Sequence, residues 1–183
     1  MTVVAVVGSA RLKRPDPRWQ QAFDLGAGIA ARGWTLLTGG YGGLMGAASE
    51  GAGGSGAVVI GLPMRGWTEL VPTQFATELR WCDSYAERVA ELMRADAIVA
   101  AAGGIGTLAE IANAWAALQT EPQTPGLVLL GAPWRRLIAT IGDTLVVGDH
   151  DLGLPLLADT VPAALDAVEL ALADRGRQAV PRG

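Results

Sequence analysis

The chain has 183 residues, of which half are apolar and only 17% charged, and its net charge is −4. This composition excludes a disordered chain and predicts one domain, residues 1–175, followed by a frayed tail at 176–183. An acidic chain without a Lys/Arg cluster is a poor candidate for binding nucleic acid. With one cysteine and one histidine, a disulfide framework or metal cage is not expected, so we predict no metal and no cofactor.

Membrane association and secretion are not expected either. No apolar run reaches the roughly 18 residues of a membrane span. The first apolar stretch also lacks the basic residues that precede a secretory signal. We therefore expect a cytoplasmic protein that does not bind membranes.

Short β-branched runs alternate with longer runs rich in Ala and Leu along the chain. The pattern predicts strands at 3–7, 34–37, 57–62, 96–101 and 126–130, with weaker strands at 78–82 and 154–157. It predicts helices at 18–32, 44–52, 84–94, 107–119, 134–145 and 161–173. Apolar strands that alternate with helices are typical of a parallel sheet covered on both faces. We predict an α/β fold with a Rossmann-like, doubly wound parallel sheet in three α/β/α layers.

The strongest functional signal is the glycine-rich turn after the strand at 96–101. Its residues are Gly103, Gly104, Gly106 and Thr107, followed by Glu110. Glycines let an anion approach the backbone, and the amides that open the next helix point towards it. The Thr107 hydroxyl can donate, and Glu110 lies one helical turn further on the same side. The spacing predicts a phosphate site with a carboxylate facing the same cleft, and the alternative is a tight turn with an exposed glutamate.

Two further turns end strands and are assigned to the same phosphate or nucleotide site. Their residues are Gly39, Gly40, Gly43 and Met45 in one turn, and Gly8 and Ser9 in the other. Ligands of parallel sheets bind beyond the carboxyl ends of the strands, where both turns fall. The first turn could instead serve close packing of a helix against a strand, and the second could be a simple turn.

The ordered segments VVGSAR, LLTGGYGGLMGAASEGA, AVVIGLP and GGIGTLAE resemble the lonely-guy family. Its members are cytokinin-activating nucleoside-5'-monophosphate phosphoribohydrolases, and the resemblance covers residues 3–172. It implies a Rossmann-like fold, a homodimer, and hydrolysis of AMP or a cytokinin-type nucleotide to free base and ribose 5-phosphate. Molybdenum cofactor carrier proteins share these glycine motifs. A protein that binds a nucleotide or molybdenum cofactor without cleaving it is therefore the alternative.

The resemblance makes Glu110 the catalytic glutamate and Arg88 the counterpart of the family's catalytic arginine. Ala102 replaces a proline of the family pattern, Tyr85 replaces a histidine, and Val89 replaces a lysine. The segment between Arg88 and the glycine turn is also one residue shorter. One residue corresponds to about 100° of helix rotation, so the shift could turn Arg88 out of the cleft. An outward Arg88 would favour the carrier alternative.

The remaining expectations concern association and single residues. The helix at 107–119 has more apolar residues than one face against a sheet requires. Together with the resemblance, this predicts a homodimer through residues 107–118 and 88–94. Trp115 is expected in the core or that interface, and Tyr41 could cover a bound base. His150 is expected at the surface. Nothing resembles a pyridoxal-phosphate site, so lysine decarboxylation is excluded.

Overall fold

The computed structural model describes residues 1–121 and 123–178, with side chains up to Asp174. The strands in this part are β1 (Val3–Val7), β2 (Thr35–Thr38), β3 (Val59–Gly61), β4 (Glu78–Leu79), β5 (Ala97–Ala100), β6 (Gly126–Leu130) and β7 (Leu156–Ala158). The helices are α1 (Pro17–Ala31), α2 (Gly43–Gly53), α3 (Tyr85–Leu92), α4 (Ile105–Thr120), α5 (Ala132–Thr144), α6 (Asp149–Leu152) and α7 (Val161–Gln178). Residues 179–183 of the expected tail lie outside the described residues.

The strands form one parallel sheet in the order β4-β3-β2-β1-β5-β6-β7. The chain winds outward from β1 to β4 and then returns to place β5 on the other side of β1. In the register of this centre, Ala5 lies opposite Leu37 of β2 and Ile98 of β5. The carboxyl ends of β1 and β5 therefore meet at the point where the winding direction changes. The predicted doubly wound sheet is confirmed.

Two separate cores lie on the two faces of the sheet, because successive side chains of a strand point to opposite faces. Val4 and Val6 pack with residues of α1, α2 and α7 on one face. Ala5 and Val7 pack with residues of α3, α4 and α5 on the other. Full burial of a Val or Leu side chain contributes about 1.5–3 kcal/mol, so strands that are apolar on both faces favour this arrangement. The three-layer prediction is confirmed.

Helices α1 and α2 approach closely enough for their backbones to touch. A Cβ on Gly26 would lie 2.8 Å from the Cα of Ala48, and one on Gly51 would collide with the Phe23 carbonyl. Only glycine fits at these two crossings. The packing holds the start of α2 against the end of β1, where the Leu44 amide donates to the Ser9 carbonyl at 2.8 Å.

Two regions differ from the regular pattern. Helix α6 was not predicted, and α7 continues past its predicted end at 173. Residues 64–77 form an irregular segment, in which the Met64 amide donates to the Tyr41 hydroxyl at 2.7 Å. No helix among the described residues is both long and apolar enough to cross a membrane.

Candidate functional site

A cleft of about 580 Å³ opens beyond the carboxyl ends of β1 and β5. Its lining includes most of the site residues predicted from the sequence, namely Gly8, Ser9, Met45, Arg88, Gly104, Gly106, Thr107 and Glu110. The predicted residues Gly39, Gly40, Gly43 and Gly103 do not line it. The cleft lies where parallel sheets bind their ligands, because the loops after adjacent strands diverge at the switch point.

The first turn of α4 forms one wall of the cleft. Gly104 is the N-cap and has no side chain that could cap the helix. The first hydrogen bond of the helix runs from the Leu108 amide to the Gly104 carbonyl at 2.9 Å, so the amides of residues 105–107 precede the bonded ladder. The first turn contains no acidic residue. These amides and the positive end of the helix dipole make a site suited to an anion.

Arg88 and Glu110 form a buried ion pair beside this turn. Arg88 Nη1 donates to Glu110 Oε1 at 2.8 Å, and the two side chains are only 5% and 7% exposed. Arg88 Nε donates to the Leu62 carbonyl at 3.0 Å, which holds the guanidinium in place. The shorter segment after α3 therefore does not turn Arg88 out of the cleft. Glu110 is likewise not the exposed residue of a simple turn.

The charge of Glu110 depends on two opposing effects. Burial raises the pKa of this carboxyl above its ordinary value, and the Arg88 guanidinium acts in the opposite direction by charge and hydrogen bonding. Burial is the larger effect, so the pKa is raised overall. Burial also raises the pKa of the nearby Tyr85 phenol, and the charge of Glu110 adds to this rise.

Gly39, Gly43 and Gly103 do not line the cleft, but each packs tightly against a residue that does. A Cβ on Gly39 would collide with the Arg88 guanidinium and lie 2.6 Å from the Met45 sulfur. Gly43 has a φ of +68°, and its Cβ would collide with the Ser9 carbonyl. Gly40 also has a positive φ, and a Cβ on Gly103 would collide with the Thr107 side chain. These contacts at Gly39, Gly40 and Gly43 are those of close packing, which was the alternative interpretation of this turn.

Sequence reasoning missed an apolar part of the lining that comes from the irregular segment. Trp67 and Leu70, from the irregular segment, line the cleft together with Tyr41 and Tyr85. The rings of Tyr41 and Trp67 are 5.7 Å apart, and the Arg88 guanidinium carbon lies 5.7 Å from the centre of the Trp67 ring. The sequence signal for this part of the lining was Trp67 in an irregular segment. No motif near that segment links it to the glycine turns, so its place in the cleft could not be predicted.

Other residues singled out in the sequence lie away from the cleft. Trp115 packs against the core, and its indole nitrogen donates to the Asp151 carbonyl at 2.7 Å. His150 is exposed, as expected, and belongs to the short helix α6. Within residues 1–121 and 123–178, no three His, Cys, Asp or Glu side chains gather as a metal site would require.

Fold and cleft together define a Rossmann-like α/β protein with a cleft at the switch point of its sheet. A family model described as the SLOG cluster4 family matches residues 1–120, and the chain belongs to this family. The resemblance to the lonely-guy proteins is confirmed by similar proteins named as phosphoribohydrolases.

One is a probable cytokinin riboside 5'-monophosphate phosphoribohydrolase of Oryza sativa subsp. japonica, 34% identical over 80% of this chain and 66% of the rice protein. Another is the cytokinin riboside 5'-monophosphate phosphoribohydrolase of Mycobacterium marinum, 31% identical over 90% of this chain and 91% of that protein. A solved structure, the molybdenum cofactor carrier protein of Chlamydomonas reinhardtii, is 27% identical with a TM-score of 0.71, covering 94% of this chain and 98% of that one.

Proposed function

We propose that this protein hydrolyses the N-glycosidic bond of a nucleoside 5'-monophosphate, releasing the free base and ribose 5-phosphate. The observation that carries the proposal is the buried Arg88–Glu110 pair, 2.8 Å apart, at the edge of the anion site on α4. A carrier needs the anion site, but it has no need of a buried carboxylate whose charge faces the ligand. The names of the rice and mycobacterial relatives support the same reaction.

The 5'-phosphate binds the amides of residues 105–107 in this proposal, and the Thr107 hydroxyl donates to it. This anchor places the glycosidic carbon of the ribose near the Glu110 carboxylate. As the bond to the base breaks, positive charge develops on the ribose, and the carboxylate stabilises it or activates water. The water oxygen bonds to the ribose carbon and a proton passes to the departing base. Arg88 holds the carboxylate in orientation throughout.

The proposal includes a cytoplasmic homodimer. The single cysteine, Cys82, is a buried free thiol, as is usual in a reducing compartment. Part of the apolar surface of α4 is used within the chain, because Ile111, Trp115 and Leu118 pack in its own core. Ile105, at the start of α4, is 82% exposed and Tyr85 of α3 is 38% exposed. These exposed apolar groups support an interface around the first turns of α3 and α4.

The test is incubation of the pure protein with AMP and chromatographic detection of adenine together with ribose 5-phosphate. Adenosine is the control, and it should react far more slowly because it lacks the phosphate anchor. Release of adenine from both at equal rates would contradict the proposed anchoring.

Carriage of a nucleotide or molybdenum cofactor is the second candidate. It is favoured by the structural match to the Chlamydomonas carrier over nearly the whole of both chains. Tight binding of AMP without cleavage of any nucleoside 5'-monophosphate would replace the hydrolase by this candidate. The departures at Ala102, Tyr85 and Val89 would then be the first positions to restore to the family pattern.

A further inference from the structure

The wall of the cleft formed by the turn at 39–45 and the irregular segment is apolar. It consists of Tyr41, Met45, Trp67 and Leu70. Tyr41 is almost fully buried, whereas Trp67 is 40% exposed and lines the cleft. Contact with the Tyr41 ring, 5.7 Å between centroids, supports Trp67 from within the protein. A ring that is backed by another ring and open on the ligand side suits a planar ligand.

The same wall has few groups that could read the edge of a base. None of its four side chains carries a carboxylate, an amide or a cationic group. Its one hydroxyl, on Tyr41, already accepts from the Met64 amide at 2.7 Å. Of the charged residues that line the cleft, Arg88 and Glu110 are bonded to each other, and Arg11 lies in the turn after β1, outside this wall. The wall therefore offers surface to a base and little hydrogen-bonding specificity.

We propose that Trp67 is the platform on which the base stacks, and that the site selects nucleotides by the planar apolar surface of the base. The inference rests on the proposed function for the placement of the phosphate on α4. It identifies the substrate class as purine nucleoside 5'-monophosphates irrespective of their exocyclic groups. AMP, GMP and IMP share the purine plane and differ in their hydrogen-bonding edges, so all three fit the same wall.

The binding test uses formycin 5'-monophosphate, whose base is attached through a carbon–carbon bond that hydrolysis does not cleave. Calorimetry compares its affinity with that of ribose 5-phosphate, which lacks a base. Stacking of one base on an aromatic ring typically changes affinity by about tenfold or more. Trp67→Ala should lose at least about that factor for the C-nucleotide and leave ribose 5-phosphate binding unchanged, while Trp67→Phe should retain most of the affinity.

Trp81 provides a matched control. It is 41% exposed, close to the value for Trp67, and it also lies beside an arginine, with Arg65 at 5.9 Å from its ring centre. It does not line the cleft, so Trp81→Ala should leave both affinities unchanged. If Trp67→Ala weakens both ligands equally, Trp67 acts through Arg88 or the fold and the inference is overturned. Unchanged affinity for the C-nucleotide in Trp67→Ala overturns it too.

The selectivity test compares kcat/KM for AMP, GMP and IMP in the unmodified protein. A site without hydrogen bonds to the base edge discriminates by roughly a hundredfold or less, whereas one built on them can reach about 10⁴. Values within about a hundredfold of one another support the inference, and a larger preference for one purine overturns it. If the protein cleaves none of them, the same comparison is made on their affinities. Failure of the hydrolase proposal thus remains distinguishable from failure of this one.

Discussion

Glu110 is the residue whose charge the proposed reaction requires. Glu110→Gln keeps the shape of the side chain and removes the negative charge. We expect turnover of AMP to fall at least about a hundredfold, equivalent to about 3 kcal/mol of lost transition-state stabilisation, while AMP still binds. Single-turnover kinetics and calorimetry measure the two quantities separately. Glu121→Gln, at the exposed C-terminal end of the same helix, is the control and should have no effect.

The raised pKa of Glu110 sets a pH dependence of activity. The reaction needs the ionised carboxylate, so turnover should decline as pH falls through the raised pKa. The acid limb of kcat/KM against pH, which reports the free protein, should therefore have its midpoint above 4.5, the ordinary value for this carboxyl. A midpoint at or below that value would contradict the dominance of burial over the charge of Arg88.

Stability should respond to the same group with a defined sign. A carboxyl whose pKa is raised in the folded state binds its proton more tightly there. Its contribution to the free energy of unfolding is full below about pH 4.5 and is lost as pH rises through the raised pKa. Glu110→Gln cannot ionise, so its melting temperature relative to the parent should shift upward between about pH 4 and pH 8. A downward shift would show that the pair with Arg88 lowers the pKa instead.

At the scale of elements, the turn between β2 and α2 packs against the Arg88 side chain. Gly39→Ala places a Cβ against the ends of two side chains, the Arg88 guanidinium and the Met45 sulfur. We expect the fold to persist with a loss of stability of about 1–3 kcal/mol, and turnover to fall towards that of Arg88→Ala. Thermal unfolding and AMP turnover test the two parts. Gly53→Ala in α2, where the Cβ meets only ordinary contacts at 3.8 Å, should leave turnover unchanged.

The first turn of α4 is the element proposed to bind the phosphate. Gly106→Val adds a side chain to the cleft lining, and apart from its chain neighbours and the backbone of its own helix no protein atom lies within 4 Å of the Cβ position. The protein should therefore fold normally, but its affinity for AMP and ribose 5-phosphate should fall because the amides are obstructed. Gly42→Val is the matched control, since Gly42 also opens a helix and has free space, but does not line the cleft. Equal affinities in the two variants would place the phosphate elsewhere.

At the scale of the whole molecule, the proposed homodimer is tested by its mass. Light scattering at micromolar concentration should give about twice the monomer mass of 18.9 kDa, because exposed apolar side chains such as Ile105 favour association. A particle of the monomer mass across the accessible concentration range would contradict the dimer. Ile111, Trp115 and Leu118 of α4 would then have no role beyond their own core.

The sequence by itself determined the order of strands and helices, the parallel sheet and the family. Those features follow from local patterns: apolar strands such as Val3–Val7, helical spacing of apolar residues, and glycines at the ends of strands. The glycine turn at 103–107 also predicted a helix start with free amides at the cleft, because the start of a helix depends only on neighbouring residues. Helix α6 was missed, since the polar residues Asp149 and His150 read as a loop.

Only the tertiary structure decided which residues share the cleft. Arg88 and Glu110 lie on different helices, and their 2.8 Å contact depends on how α3 and α4 pack on one face of the sheet. The spacing between them in the sequence left the direction of Arg88 open. Trp67 enters the cleft through contacts with a distant turn: its ring lies against that of Tyr41, and the Met64 amide donates to the Tyr41 hydroxyl. Contacts between residues far apart in the chain leave no local sequence pattern. They depend on packing, and the sequence alone could not predict them.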